Sequence, residues 1–203
     1  MHTGDSDQHA SRRRQILTAA RAEFAENGLD GTSTARISRR AGVGSGTLLQ
    51  HFRTKRAIFH AVLAESLSAT EVVCSRALAA DDPARGLELL IAHMTGRFAH
   101  PHTTGLAAAA VLQARRDEDF SALLAENRAM VRHALTAMLA DLAAGGAKLQ
   151  FSAERTARWI QRTIYAAYLT ADDERELAEL QRVVDWLVGG RVTIPWRETA
   201  SRG

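Results

Sequence analysis

A chain of 203 residues with 46% apolar and 24% charged content has the make-up of a globular protein of one or two domains, which excludes a disordered or fibrous polymer. A single cysteine, Cys74, excludes an internal disulfide and the common structural zinc frameworks, and it points to a reducing compartment. The formal net charge of +3 is uneven, with 10 Lys and Arg against 5 Asp and Glu over Met1 to Arg56 and 16 against 18 beyond, as expected of a basic module that meets a polyanion.

Three prolines, 38 alanines and few β-branched runs predict an all-α fold. No uninterrupted apolar stretch approaches the roughly 20 residues of a membrane span, and the first ten residues are polar where a signal peptide is apolar. A soluble, cytoplasmic protein without a membrane partner is expected. Residues 1–10 read as a loose arm. Helix one is predicted from Ser11 to Asn27, with Ile16, Leu17, Ala20 and Phe24 on one stripe and Gly28 as its terminator. Ser33 caps a short second helix ending near Ala41, Gly42 makes a left-handed exit, and Ser45 to Phe52 forms a third. Thr54 caps a long fourth helix that reaches the break at Asp81, Asp82 and Pro83. A fifth carries Leu87, Leu90, Ile91, Met94 and Phe98 and stops at His100 and Pro101. The sixth covers about Thr104 to Arg115, and the seventh runs from Glu118 to Ala144. The eighth spans Ser152 to Thr170, and the ninth runs from Asp173 to Val188, closed by Gly189 and Gly190. The total is about nine helices before an irregular tail.

Helices two and three are joined by AGVG within TSTARISRRAGVGSGTLLQHF, Thr32 to Phe52. Two short helices around a tight glycine turn form a helix-turn-helix, whose second helix fits a major groove about 12 Å wide. Gly42 supplies the turn conformation, and Val43 plugs the space between the helices.

From Ile16 to Leu63 the chain resembles the TetR family of one-component transcriptional regulators. The shared features are Ile-Leu, Ala-Ala, Phe, a glycine-containing loop, Thr or Ser before helix two, Ala-Gly-Val, Gly-Thr-Leu, an aromatic residue ending helix three and a lysine opening helix four. The resemblance implies a DNA-binding domain over residues 1–55 and a ligand-binding and dimerisation domain over 56–203. It implies that Thr47 and Lys55 bond phosphates, that Gly44, Ser45 and Gly46 bring the start of helix three close to DNA, and that Gln50 and His51 contact bases or phosphates. Ser33, Thr34 and Arg36 would hold the flanking strand. Leu49 stands where the family usually has tyrosine, and Gly44 where serine is commoner. Arg12, Arg13 and Arg14 lie just before helix one, where a phosphate or minor-groove contact competes with plain solvation.

The family likeness further implies a dimer through the last two helices, for which Ile160, Ile164, Ala167, Tyr168, Leu177, Leu180, Val184 and Leu187 are the expected interface, and hence a palindromic operator. A small apolar or amphipathic effector is expected to release a repressor from that operator. Met94, Arg97, Phe98, Trp159 and Arg162 are the candidate ligand residues, since Met, Phe and Trp walls with an arginine suit an apolar molecule bearing an anionic end. His93, His100 and His102 lack acidic or cysteine partners at a metal spacing, Cys74 falls on a buried stripe, and no catalytic arrangement or cofactor motif is legible. Neither a metal, a cofactor nor an enzymatic activity is expected. The competing readings are a helical enzyme or carrier with an incidental basic module, and a regulator controlled by a partner protein.

Overall fold

The computed structural model describes residues 3–96, 102–170 and 174–190, and the side-chain surroundings over 7–96, 102–169 and 178–190. Among these residues the chain is all-α: α1 (Thr3–Gly31), α2 (Thr34–Ala41), α3 (Ser45–His51), α4 (Lys55–Leu78), α5 (Pro83–Gly96), α6 (Thr103–Ala114), α7 (Glu118–Ala144), α8 (Ala153–Thr170) and α9 (Glu174–Leu187). The expected arm over residues 1–10 is instead helical from Thr3, so α1 starts eight residues earlier than its apolar stripe predicts. Polar helix turns carry no apolar periodicity, which is why the pattern missed them. Gly28 breaks α1 as expected, with φ 65° and ψ −178° inside the helical run. The end of helix five at His100 and Pro101, the acidic residues Asp172 and Asp173, and the tail from Arg191 lie outside the described residues.

The described helices fall into two compact units. The first takes in the residues up to Leu67 together with His102–Ser121. It therefore groups α6, the start of α4 and the start of α7 with the three N-terminal helices. Its core includes Ile16, Leu17, Phe24, Ile37, Leu48, Ile58, Phe59, Val62 and Phe120. Phe24 meets Phe59 edge to face at 5.0 Å, and Phe59 meets Phe120 at 5.6 Å. α6 crosses α1 closely enough that a Cβ on Gly105 would stand 2.1 Å from the Ala25 carbonyl oxygen, so only glycine fits there. Asp117 fastens the turn between α6 and α7. Its carboxylate caps Phe120 N at 3.2 Å and accepts from Arg56 of α4 at 2.8 Å and from Gln113 at 3.3 Å.

The second unit begins at Ser68 and continues through α5, most of α7, α8 and α9. Its core joins Cys74, Leu87, Leu90, Ile91, Met94, Val131, Leu135, Met138, Ile160, Ile164, Leu180, Val184 and Leu187. Burial pushes the Cys74 thiol pKa up.

α4, at 24 residues, is long and apolar enough on average to cross a membrane, although polar residues such as His60, Glu65 and Glu71 interrupt its apolar run. Its apolar side chains Ile58, Phe59, Val62, Leu63, Cys74 and Ala77 are spent on buried packing. The intervening faces carry Arg56, His60, Glu65, Glu71 and Arg76, as an amphipathic core helix requires.

Candidate nucleic-acid interface

α2 is defined at both ends by local hydrogen bonding. Ser33 is extended (φ −125°, ψ 155°), and its hydroxyl oxygen accepts the Arg36 amide at 3.2 Å, as the sequence predicts of an N-cap. At the other end the Gly42 amide donates to the Arg39 carbonyl at 3.2 Å and the Val43 amide to the Ser38 carbonyl at 3.1 Å. This double closure needs the left-handed φ of 64° at Gly42, which a β-carbon would strain. The chain leaves the turn extended at Gly44, whose carbonyl accepts the Leu48 amide at 3.0 Å and so opens α3.

Ile37 of α2 and Leu48 of α3 are fully buried, and Phe52 is 7% exposed. These anchors leave Ser45, Gly46, Leu49 and Gln50 exposed, while Thr47 and His51 are half-buried. Residues four apart share a helix face, so Ser45 with Leu49 and Gly46 with Gln50 form one outward surface. The sequence marks Leu49 only as a missing tyrosine. Its 54% exposure places a large apolar side chain in the middle of that surface.

The charges sort into those spent inside the unit and those left at its surface. Glu23 of α1 is buried, and it accepts from Arg36 at 2.8 Å and from Arg40 at 3.1 Å. Arg40 also forms two bonds to Glu26, at 2.7 and 2.5 Å. The Arg36 hydrogen bond holds the Glu23 carboxyl below the usual range against the opposing effect of burial, with Arg40 adding to the same direction. Arg36, expected at DNA, is thereby engaged with Glu23. The signal for this was present in the spacing, with carboxylates three apart on α1 facing arginines four apart on α2.

Lys55 is half-buried and donates to the Thr32 carbonyl oxygen at 2.8 Å. Arg39 and Arg53, which the sequence did not single out, are exposed and make no ion pair among the described residues. His51 lies against His9 with ring centroids 4.1 Å apart. Its pKa is lowered, chiefly by burial and further by His9 and Arg13.

Residues 16–62, which hold the whole helix-turn-helix, match the family described as bacterial regulatory proteins, tetR family. Over these residues the chain is similar to the tetR family's DNA-binding module. It is 35% identical over 133 residues to the HTH-type transcriptional repressor Rv1474c of Mycobacterium tuberculosis, a match covering 64% of this chain and 65% of that repressor. In fold it resembles a TetR-family transcriptional regulator from Agrobacterium tumefaciens, with a TM-score of 0.74, 21% identity, and coverage of 89% of this chain and 99% of that one. It also resembles the regulator FadR from Bacillus subtilis, solved in complex with stearoyl-CoA, with a TM-score of 0.67, 23% identity, and coverage of 87% and 98%.

The residues expected at a dimer interface are largely used inside the chain. Ile160, Ile164 and Val184 are fully buried within the chain itself, and Leu180 and Leu187 nearly so, because α8 and α9 close the core of the second unit. Ala167 and Tyr168 pack partly against the same core, Tyr168 donating its hydroxyl to the Met94 carbonyl. The Leu177 side chain lies outside the described residues. Among the described residues, the large exposed apolar side chains of these helices are Trp159, Leu169, Val183 and Trp186. Of the candidate ligand residues, Met94 is buried in the core, Trp159 is 46% exposed and Arg162 is exposed, whereas Arg97 and Phe98 lie outside the described residues. Among the described residues, no group of three or more His, Cys, Asp or Glu is arranged to hold a metal ion.

Proposed function

We propose that this chain is a TetR-family DNA-binding transcriptional repressor that works as a soluble, cytoplasmic two-fold dimer on a palindromic operator and is released by a small apolar or amphipathic effector. The observation that carries the DNA-binding part is the outward face of α3, where Ser45, Gly46, Leu49 and Gln50 stand exposed on a helix fixed from behind by Leu48 and Phe52. Gln50 pairs with an adenine edge and Leu49 packs on a thymine methyl, which specifies sequence. Thr47, Lys55, Ser33 and Thr34, with Arg39 and Arg53, contact phosphates, which position the protein. His51, half-buried against His9, supports the end of the reading helix.

Dimerisation uses the outer faces of α8 and α9 through Trp159, Leu169, Val183 and Trp186, since exposed aromatic and aliphatic groups of this size mark an interaction surface. The effector reading draws support from the stearoyl-CoA held by the FadR neighbour and from a second neighbour named as the ketosteroid regulator KstR2 of Mycobacterium tuberculosis. On this reading an apolar ligand sits in the helical body from residue 56 onward, with Met94, Arg97, Phe98, Trp159 and Arg162 as its candidate contacts. Release requires that the ligand bind the DNA-free form more tightly than the DNA-bound one.

Selection of bound duplexes from a random-sequence pool tests the reading. The expected product is an inverted repeat, with Gln50→Ala and Leu49→Ala altering base preference at fixed positions and Thr47→Ala weakening all sequences alike. Recovery of no enriched sequence, at any salt concentration, overturns it.

A further inference from the structure

The amino-terminal turns of α1 lie outside the helix-turn-helix, yet they are braced against its reading helix. His9 rests on His51 at the end of α3, with ring centroids 4.1 Å apart. Four residues on, Arg13 carries its guanidinium over the Phe52 ring, 5.4 Å from the centroid, and pairs with Glu65 of α4 at 3.6 Å. The four-residue spacing puts His9 and Arg13 on one face of α1, so two successive turns are fixed to the end of α3. Arg13 is thus consumed by the brace.

Its two neighbours are not. Arg12 is exposed and, among the described residues, bonds to Gln15 at 3.3 Å, one turn along its own helix, with no ion pair. Arg14 is exposed and makes no ion pair among the described residues. Each lies about 100° around the helix from Arg13, so the two guanidinium groups flank the braced face. A solvated charge run on a loose arm would have to be ordered before it could hold a phosphate. Here that ordering is already achieved, and the full positive charge remains at the surface.

We propose that the braced first turns of α1 form a second DNA contact, in which Arg12 and Arg14 hold backbone phosphates of duplex flanking the half-site that α3 reads. The inference rests on the DNA-binding reading above and adds to it an anionic ligand surface outside the helix-turn-helix. Guanidinium groups suit this role because they present several donors to phosphate oxygens without selecting bases. His9 is then a positioning residue, acting through the orientation of the turn that bears the arginines.

The test uses the full chain and a duplex it has itself selected, remade with long and with short flanks of unrelated sequence. Binding is measured across a salt series for the parent, the double variant Arg12→Ala with Arg14→Ala, and His9→Ala. The parent is expected to bind the long-flank duplex more tightly than the short one. The double variant is expected to lose that preference and to show a log-affinity against log-salt slope shallower by about 3.6 for the dimer, close to 0.9 for each of the four phosphates released, two per protomer. His9→Ala should lose part of the flank preference with both arginines present, while circular dichroism shows unchanged helix content. Equal slopes for parent and double variant, or a parent indifferent to flank length, overturns the proposal and leaves the α3 reading standing. Failure of the parent to select any duplex overturns the reading beneath it.

Discussion

The Lys55 ammonium donates to the Thr32 carbonyl oxygen across 2.8 Å, tying the first turn of α4 to the loop that leads into α2. One of its three donors is used there, and the others remain for a phosphate. Lys55→Met is therefore expected to act twice. It should lower stability by about 1 kcal/mol, the net worth of a partly solvated charge-assisted bond, and weaken binding to all duplexes by a similar factor. Thermal melts alongside binding titrations check this. Weakened binding with no loss of stability would mean that the Thr32 bond carries nothing.

Glu23 gives the second prediction. Its carboxylate joins α1 to Arg36 and Arg40 of α2, so Glu23→Gln removes two ion pairs while keeping the side-chain shape. Both arginines are more than a third exposed, which screens the pairs and limits the cost to about 1–2 kcal/mol at neutral pH. The folded pKa lies below the ordinary 4.5, so the unfolded chain binds the proton more readily. The stabilisation is full above 4.5 and is lost as the pH falls through the lower folded value. Denaturant melts of parent and variant are expected to approach each other below pH 4.5 and to converge once the pH has passed through the lower folded value, and a gap that persists in stronger acid would assign the loss to packing.

Much of this module could be read from the sequence because its signals are local. Ser33 as a cap, the left-handed Gly42, the α4 cap at Thr54 and the span Glu118–Ala144 all depend on residues within a turn of one another. What stayed hidden depends on partners distant in sequence. A periodic stripe such as Ile160, Ile164 and Val184 announces that a helix buries one face, but not whether the covering surface belongs to its own chain. The chain's own α5 and α7 supply that cover here. Arg36 reads as a DNA contact until Glu23, 13 residues earlier, is folded beside it.

His51 supplies a pH-dependent expectation of the same direction, although here folding favours the neutral rather than the charged form. Burial, with the nearby His9 and Arg13, lowers its pKa from 6.5, so the folded state prefers the neutral ring. Stability is full above pH 6.5 and declines as the pH drops toward the folded value, because the unfolded chain takes up the proton first. Melting temperatures compared between pH 7.5 and 5.5 should fall more for the parent than for His51→Gln. An equal fall would show that the decline arises at other groups.

The outer face of α8 and α9 predicts the state of assembly. Trp186 is 55% exposed and Val183 43%, and Phe151 meets the Trp186 ring edge to face at 6.2 Å. Sedimentation of the parent at micromolar concentration is expected to show a dimer, and Trp186→Glu with Val183→Glu a folded monomer. Two buried carboxylates without partners oppose association far more than they disturb side chains already in water. A monomeric parent would remove the dimer, and a dimeric double variant would move the interface elsewhere.

Gly46 separates a structural role from a functional one. It is exposed on the first turn of α3, and a β-carbon built there meets nothing within 4 Å. Glycine inside a helix is less favourable than alanine by up to about 1 kcal/mol, so Gly46→Ala is expected to raise stability slightly and leave the fold unchanged. Yet Gly46 lies on the same face as Gln50, and if that face enters the groove as proposed, an added methyl group there holds the helix away from it. The expected result is a more stable protein that binds its selected duplex less tightly, read from denaturant melts and fluorescence anisotropy on the same preparations. Unchanged binding together with the gain in stability would show that α3 does not approach DNA at this residue, and the reading surface would then have to be centred on Leu49 and Gln50 alone.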